Sequence, residues 1–86
     1  MTVTRQTVAA RLAAYLRHES SLEALVDWAE RAMMEADFAE ADAEVLGDVL
    51  ARIGVADVRA FGLTWEDCGD LLHRLGFATR VEVVAA

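Results

Sequence analysis

Proline and lysine are absent from this 86-residue chain, and Cys68 is its single cysteine. One cysteine cannot form a disulfide within the chain, which excludes a disulfide-stapled scaffold and fits a reducing compartment. No apolar run approaches the roughly 18–20 residues that span a bilayer. Residues 1–5 are followed by no apolar segment typical of a signal peptide. The sequence therefore predicts a cytoplasmic protein that does not bind a membrane.

The residues that are present favour one mainly helical domain. A domain usually has about 100–200 residues, so residues 1–86 are expected to form a single one. Hydrophobic residues make up 56% of the chain, which is enough to form a core. Much of this content is alanine, the strongest helix former.

The acidic residues are concentrated in the middle of the chain. The formal net charge is −7, and residues 27–48 carry all of it, with eight acidic residues against Arg31. Such a segment repels nucleic-acid and membrane phosphates and attracts a basic protein surface. We therefore predict a partner-binding surface formed by Glu35, Asp37, Glu40, Asp42 and Glu44. The alternative is a solvated helical face that keeps the protein soluble.

Apolar spacing predicts a first helix over about residues 4–17, with Thr4 as its N-cap. Ser20 and Glu23 form a capping-box pattern, so a second helix is expected to begin there. Met34 is expected to be exposed. The expected core face of the second helix comprises Leu22, Leu25, Val26, Ala29 and Met33, flanked by Trp28.

Two more helices are predicted beyond a connection that Phe38 is expected to anchor. The third has Gly54 at its C′ position, and the fourth has Thr64 as its N-cap and ends at Gly76. Their expected inward residues are Val45, Leu46, Val49, Leu50 and Ile53 in the third, and Trp65, Cys68, Leu71, Leu72 and Leu75 in the fourth. Gly47 and Gly69 lie inside these helices, where glycine costs about 1 kcal/mol against alanine, so a close approach of another helix is expected there.

Residues 77–84 alternate like a β-strand, with Arg80 and Glu82 on the outer face. Its expected interface residues are Phe77, Thr79, Val81 and Val83. A strand needs a neighbour for its backbone groups. Three neighbours are open: a second copy paired antiparallel in a homodimer, a short segment of the same chain (residues 2–4 or 55–58), or another protein. The predicted fold is a compact bundle of about four helices with one C-terminal strand.

Few residues suit catalysis, so no enzymatic activity and no cofactor are expected. His18, Glu19 and Ser20 are adjacent, and neighbours at a helix end do not face one another as a catalytic dyad does. Cys68 lies on an apolar stripe. Glu66, Asp70 and His73 share a helix face with metal-ligand spacing, but an exposed polar face explains them better, so no metal is predicted.

Residues 58–72 resemble a helix-turn-helix, with Gly62 in the turn and spaced apolar residues after it. This resemblance implies DNA binding as an alternative function. The second helix would expose Glu66, Asp67 and Asp70, whereas reading DNA needs Arg, Lys, Asn or Gln. We therefore expect no nucleic-acid partner.

Residues 15–29 resemble the opening of small helical bacterial immunity proteins of the colicin D type. The shared features are a first helix that ends in a polar break (His18 to Ser20), a capping serine and an aromatic residue, Trp28. The resemblance implies a small acidic inhibitor that plugs the basic site of a nuclease toxin. The chain as a whole resembles uncharacterised small bacterial proteins. The function predicted is a protein-binding module of immunity, antitoxin-like or phage-inhibitor type.

Overall fold

The computed structural model describes residues 2–85, so the two end residues of the predicted domain lie outside the described range. The described chain forms four α-helices: α1 (Arg5–Leu16), α2 (Leu22–Glu35), α3 (Ala43–Gly54) and α4 (Trp65–Arg74). A single 3₁₀ turn (Glu40–Asp42) precedes α3. α2 and α3 make the most extensive contact, and α1 packs against α2, α3 and α4. The predicted mainly helical fold of about four helices is confirmed.

The core lies where these helices meet. Its fully buried side chains include Leu12 of α1, Leu25 of α2, Leu50 and Ile53 of α3, and Cys68 of α4. No polar or charged residue in the described range is buried. The apolar stripe predicted for α3 is confirmed, with only its first residue, Val45, partly exposed. The core is therefore held by apolar packing alone, which acts roughly in proportion to the buried area.

Side-chain caps fix the helix starts. The backbone N–H of Thr7 donates to Thr4 Oγ1 at 3.1 Å, and that of Asp67 donates to Thr64 Oγ1 at 3.1 Å, so both predicted N-caps are confirmed. The prediction for α2 was one residue early. Ser21, not Ser20, caps this helix by accepting the N–H of Ala24 at 3.1 Å. Glu23 then falls at the second helical position, where it cannot complete a capping box.

Two predicted core residues are exposed. Met33 is 41% exposed and Trp65 is 56% exposed. The buried stripe of α2 includes Trp28 and Ala32. These two residues are four positions apart and share a helix face, whereas Met33 lies about 100° further round the helix. Met34 is 85% exposed, as predicted. Gly54 is the last residue of α3 rather than its C′ residue.

The predicted C-terminal strand is absent from the described structure. α4 ends in a Schellman motif at Gly76 (φ 95°), in which the N–H of Gly76 donates to His73 O at 3.0 Å and that of Phe77 to Leu72 O at 2.9 Å. Residues 77–85 then adopt no regular secondary structure. The one β-bridge of the described range pairs Thr2 with Asp37 instead. The tail therefore lacks an intramolecular neighbour, and a strand does not form without one.

Candidate functional site: an acidic face

The α2–α3 connection brings the five predicted partner-binding residues into one stretch at the end of α2 and the start of α3. Its backbone is held by Val3, whose N–H donates to Asp37 O at 3.2 Å and whose side chain is buried. Phe38 is half-buried against the core, as predicted. The connection is therefore fixed at two adjacent residues, which positions the carboxylates around it.

Four of these carboxylates form an acidic face, which we define as Glu35, Asp37, Glu40 and Glu44. All four are exposed, and none makes an ion pair within residues 2–85. Unpaired exposed carboxylates keep their full charge for a partner, and their joint potential attracts a basic surface.

Asp42, the fifth predicted residue, has a structural role. Its Oδ1 accepts a hydrogen bond from Nε of Arg5 at 2.8 Å, and both side chains are about one-third exposed. This ion pair ties the start of α1 to the 3₁₀ turn. Asp42 therefore contributes little charge to the acidic face.

A second arginine borders the acidic face from α4. Nη2 of Arg74 lies 3.2 Å from Oδ2 of Asp48. Arg5, Glu44, Asp48 and Arg74 line one shallow depression of about 240 Å³. Two of the eight carboxylates of residues 27–48 are thus paired with arginines from outside that segment, which weakens the negative potential on this side.

An exposed apolar spot adjoins the acidic face in sequence. Met33 and Met34 immediately precede Glu35 and are 41% and 85% exposed. Methionine is flexible and polarisable, and it recurs at surfaces that bind protein partners. Charged residues beside an apolar spot match the arrangement of a protein interface, in which a polar rim surrounds an apolar centre.

A second surface, which the sequence did not predict, surrounds Trp65. Tyr15, Leu16 and His18 at the end of α1 face Leu63 and Trp65 across a groove of about 420 Å³. An exposed tryptophan has the same sequence signature as a buried one, and the groove joins residues about 50 positions apart, so no local pattern reveals it.

Two neighbouring residues of α4, Asp67 and Cys68, have shifted pKa values. Burial is the main cause that raises the pKa of Cys68 to about 11; the Asp67 carboxylate adds to it and Arg52 opposes it. The thiol is therefore protonated at neutral pH and is a poor nucleophile. Hydrogen bonds from the backbone and side chain of Thr64 lower the pKa of Asp67, with a smaller contribution from Arg52. These groups serve the start of α4 and its contact with α3.

No cluster of three metal-ligating side chains occurs within the described chain. Ser20 is directed to the backbone, with its hydroxyl donating to Ser21 O at 3.4 Å. No helix among residues 2–85 is long and apolar enough to cross a membrane. Comparisons with protein-family models, with curated proteins and with solved structures find no match to this chain.

Proposed function

We propose that this protein binds a basic partner protein through its acidic face and masks the surface that it covers. The observation that carries the proposal is the group of four exposed carboxylates that make no ion pair with any residue from 2 to 85, next in sequence to two exposed methionines. The resemblance to colicin D immunity proteins adds that the partner is an enzyme whose basic site is blocked. The immunity, antitoxin-like and phage-inhibitor interpretations share this mechanism.

Charge and apolar contact contribute differently to such binding. The carboxylates of the acidic face accelerate encounter with a positively charged partner, and this effect falls as salt screens it over about 8–10 Å. Affinity depends more on residues that become fully desolvated, which here are Met33 and Met34. We therefore expect binding that is fast and salt-sensitive, with methionine contacts that slow dissociation.

The test compares two variants of equal charge. In the face variant, Glu35, Asp37, Glu40 and Glu44 are replaced by their amides. In the control variant, four other exposed acidic residues without ion pairs in the described chain are replaced by their amides: Glu23, Asp57, Glu66 and Asp70. Both variants lose four negative charges, so a difference between them reports position rather than net charge.

Each protein is immobilised and exposed to lysate of the native host at about 50 mM salt, and captured proteins are identified, purified and titrated by calorimetry. We expect a basic protein that the wild type and the control variant bind equally. The face variant should bind it at least about tenfold more weakly, which corresponds to about 1.4 kcal/mol. Equal binding to both variants, or no captured protein at all, would contradict the proposal.

DNA binding is not proposed, because nothing in the described structure favours it. The link between α3 and α4 spans residues 55–64, whereas a helix-turn-helix has a turn of about 3–4 residues. α4 exposes Glu66 and Asp70, and its arginine, Arg74, is paired with Asp48.

A further inference from the structure

The C-terminal tail exposes apolar side chains and unpaired backbone. Val81, Val83 and Val84 are 66%, 95% and 77% exposed. Within the described residues, positions 78–85 make no backbone hydrogen bond. This segment therefore presents both the groups that a β-ladder pairs and the branched side chains that favour a strand.

The start of the tail rests on α4. A Cβ atom built on Gly69 would lie 3.7 Å from Oγ1 of Thr79, so Thr79 covers this glycine at ordinary van der Waals distance. Thr79 and Val81 line a depression of about 720 Å³ together with Trp65 and Phe77. In an extended conformation Thr79, Val81 and Val83 share one face, and that face would be directed toward this depression.

The charges on the other face are self-complementary about Val81, which favours a second copy as the neighbour and favours one register of pairing. In an antiparallel pair, opposite residues lie on the same face of the ribbon, so the apolar face of one copy meets that of the other whenever the pair is centred on a residue. The three registers at the middle of the tail, centred on residue 80, 81 or 82, differ in how the charges meet. Centring on Arg80 places Arg80 opposite itself, and centring on Glu82 places Glu82 opposite itself. Centring on Val81 places Arg80 opposite Glu82 in both directions.

We propose that residues 79–83 form a strand only in a homodimer, paired antiparallel with the same residues of a second copy and centred on Val81. This two-fold arrangement is self-complementary, as a symmetric dimer requires. The two ion pairs favour it, since opposite charges across strands stabilise a ladder and like charges destabilise it. Val83 of the second copy then lies opposite Thr79, next to the depression that Trp65 and Phe77 line.

The dimer is expected to be weak, because a two-stranded ribbon alone is marginally stable in water and buries less than the roughly 1,200 Å² of a standard interface. A dissociation constant on the order of 10⁻⁴ M is consistent with that size. Sedimentation equilibrium from about 10 μM to 1 mM measures it. A wild-type chain that stays monomeric over this range would overturn the proposal.

Charge reversal tests the register. In Arg80→Glu both charged positions are acidic, and in Glu82→Arg both are basic, so each homodimer would contain two like-charge pairs and should be at least about tenfold weaker. An equimolar mixture of the two variants restores both opposite-charge pairs and should associate about as tightly as the wild type. The ion pair seen within one chain, Arg80 Nη2 to Glu82 Oε1 at 2.8 Å, cannot produce this rescue.

Arg59→Glu is the matched control, because Arg59 is exposed, lies outside the tail and changes the net charge by the same amount. It should retain the wild-type dissociation constant within about threefold. The proposed register would be wrong if Arg80→Glu and Glu82→Arg both dimerised as tightly as the wild type. It would also be wrong if the equimolar mixture of the two variants did not associate. The face variant described above should still dimerise, so the failure of one proposal is distinguishable from the failure of the other.

Discussion

At the scale of single residues, His18 has the least common backbone conformation of the described chain. Its φ is 61°, the one positive value found there outside glycine. It ends α1 in a Schellman motif, with its N–H bonded to Tyr15 O at 3.1 Å and that of Glu19 to Ala14 O at 2.9 Å. Gly76 occupies the same position after α4. The left-handed region costs residues other than glycine roughly 1–2 kcal/mol.

His18→Gly is therefore expected to raise the free energy of unfolding by about 0.5–1 kcal/mol, since relief of strain outweighs the greater freedom of glycine in the unfolded chain. Urea denaturation followed by circular dichroism measures this change. Gly76→Ala is the control in the opposite direction, because it introduces a side chain at a left-handed position. It should lower the free energy of unfolding by about 1 kcal/mol. A loss of stability in His18→Gly would show that imidazole contacts outweigh the strain.

At the scale of secondary-structure elements, the two glycines inside helices are not sites of close helix contact. A Cβ on Gly47 would have no neighbour within 4 Å, and one on Gly69 would meet only Thr79 of the tail. The expectation of close helix packing at both positions is therefore wrong. Each glycine leaves its helix less stable without a packing gain.

Gly47→Ala should accordingly raise the free energy of unfolding by about 0.5–1 kcal/mol through helix propensity. Thermal or urea unfolding measures the change. Gly54→Ala provides the contrast, because its Cβ would lie 2.9 Å from Cε of Met33 and would displace that side chain. The free energy of unfolding should therefore rise less in Gly54→Ala than in Gly47→Ala. Equal gains at both glycines would show that Met33 moves without cost.

The elements differ in how far the sequence predicts them. The threonine caps and the apolar stripe of α3 were predicted correctly, because capping and periodicity depend on residues within a few positions. The burial of Ala32 rather than Met33 depends on which side of α2 meets the other helices, and the strand depends on a neighbour. The residues of the acidic face were chosen from the excess of acidic residues in the sequence, which needs no knowledge of the fold. The pairing of Asp42 with Arg5, 37 positions away, is a tertiary contact that local sequence does not contain.

At the scale of the whole molecule, the core is complete before the tail begins. Leu72 and Leu75 are the last buried side chains of the range that the structure describes, and residues 76–85 are exposed. The C-terminal segment therefore contributes little to the folded monomer, whatever its role in assembly.

Truncation after Ala78 should leave helicity unchanged and the free energy of unfolding within about 0.5 kcal/mol of the full chain, because residues 79–85, the described part of what it removes, are all exposed. It should also abolish the dimer proposed above. Truncation after Leu71 is the contrast, since it removes Leu72 and Leu75 and should cost several kcal/mol. Circular dichroism and urea denaturation distinguish the two. If the chain truncated after Ala78 unfolded, the tail would have to be part of the core.

The packing of α1 against α4 brings the two ends of the fold together. A Cβ on Gly76 would lie only 3.8 Å from Nη1 of Arg5. The first and last helices are thus in contact although they lie at opposite ends of the sequence, which is the arrangement that tolerates circular permutation. Because residues 57–61 are exposed and lie between α3 and α4, a circular permutant opened there would leave all four helices of the described chain uninterrupted.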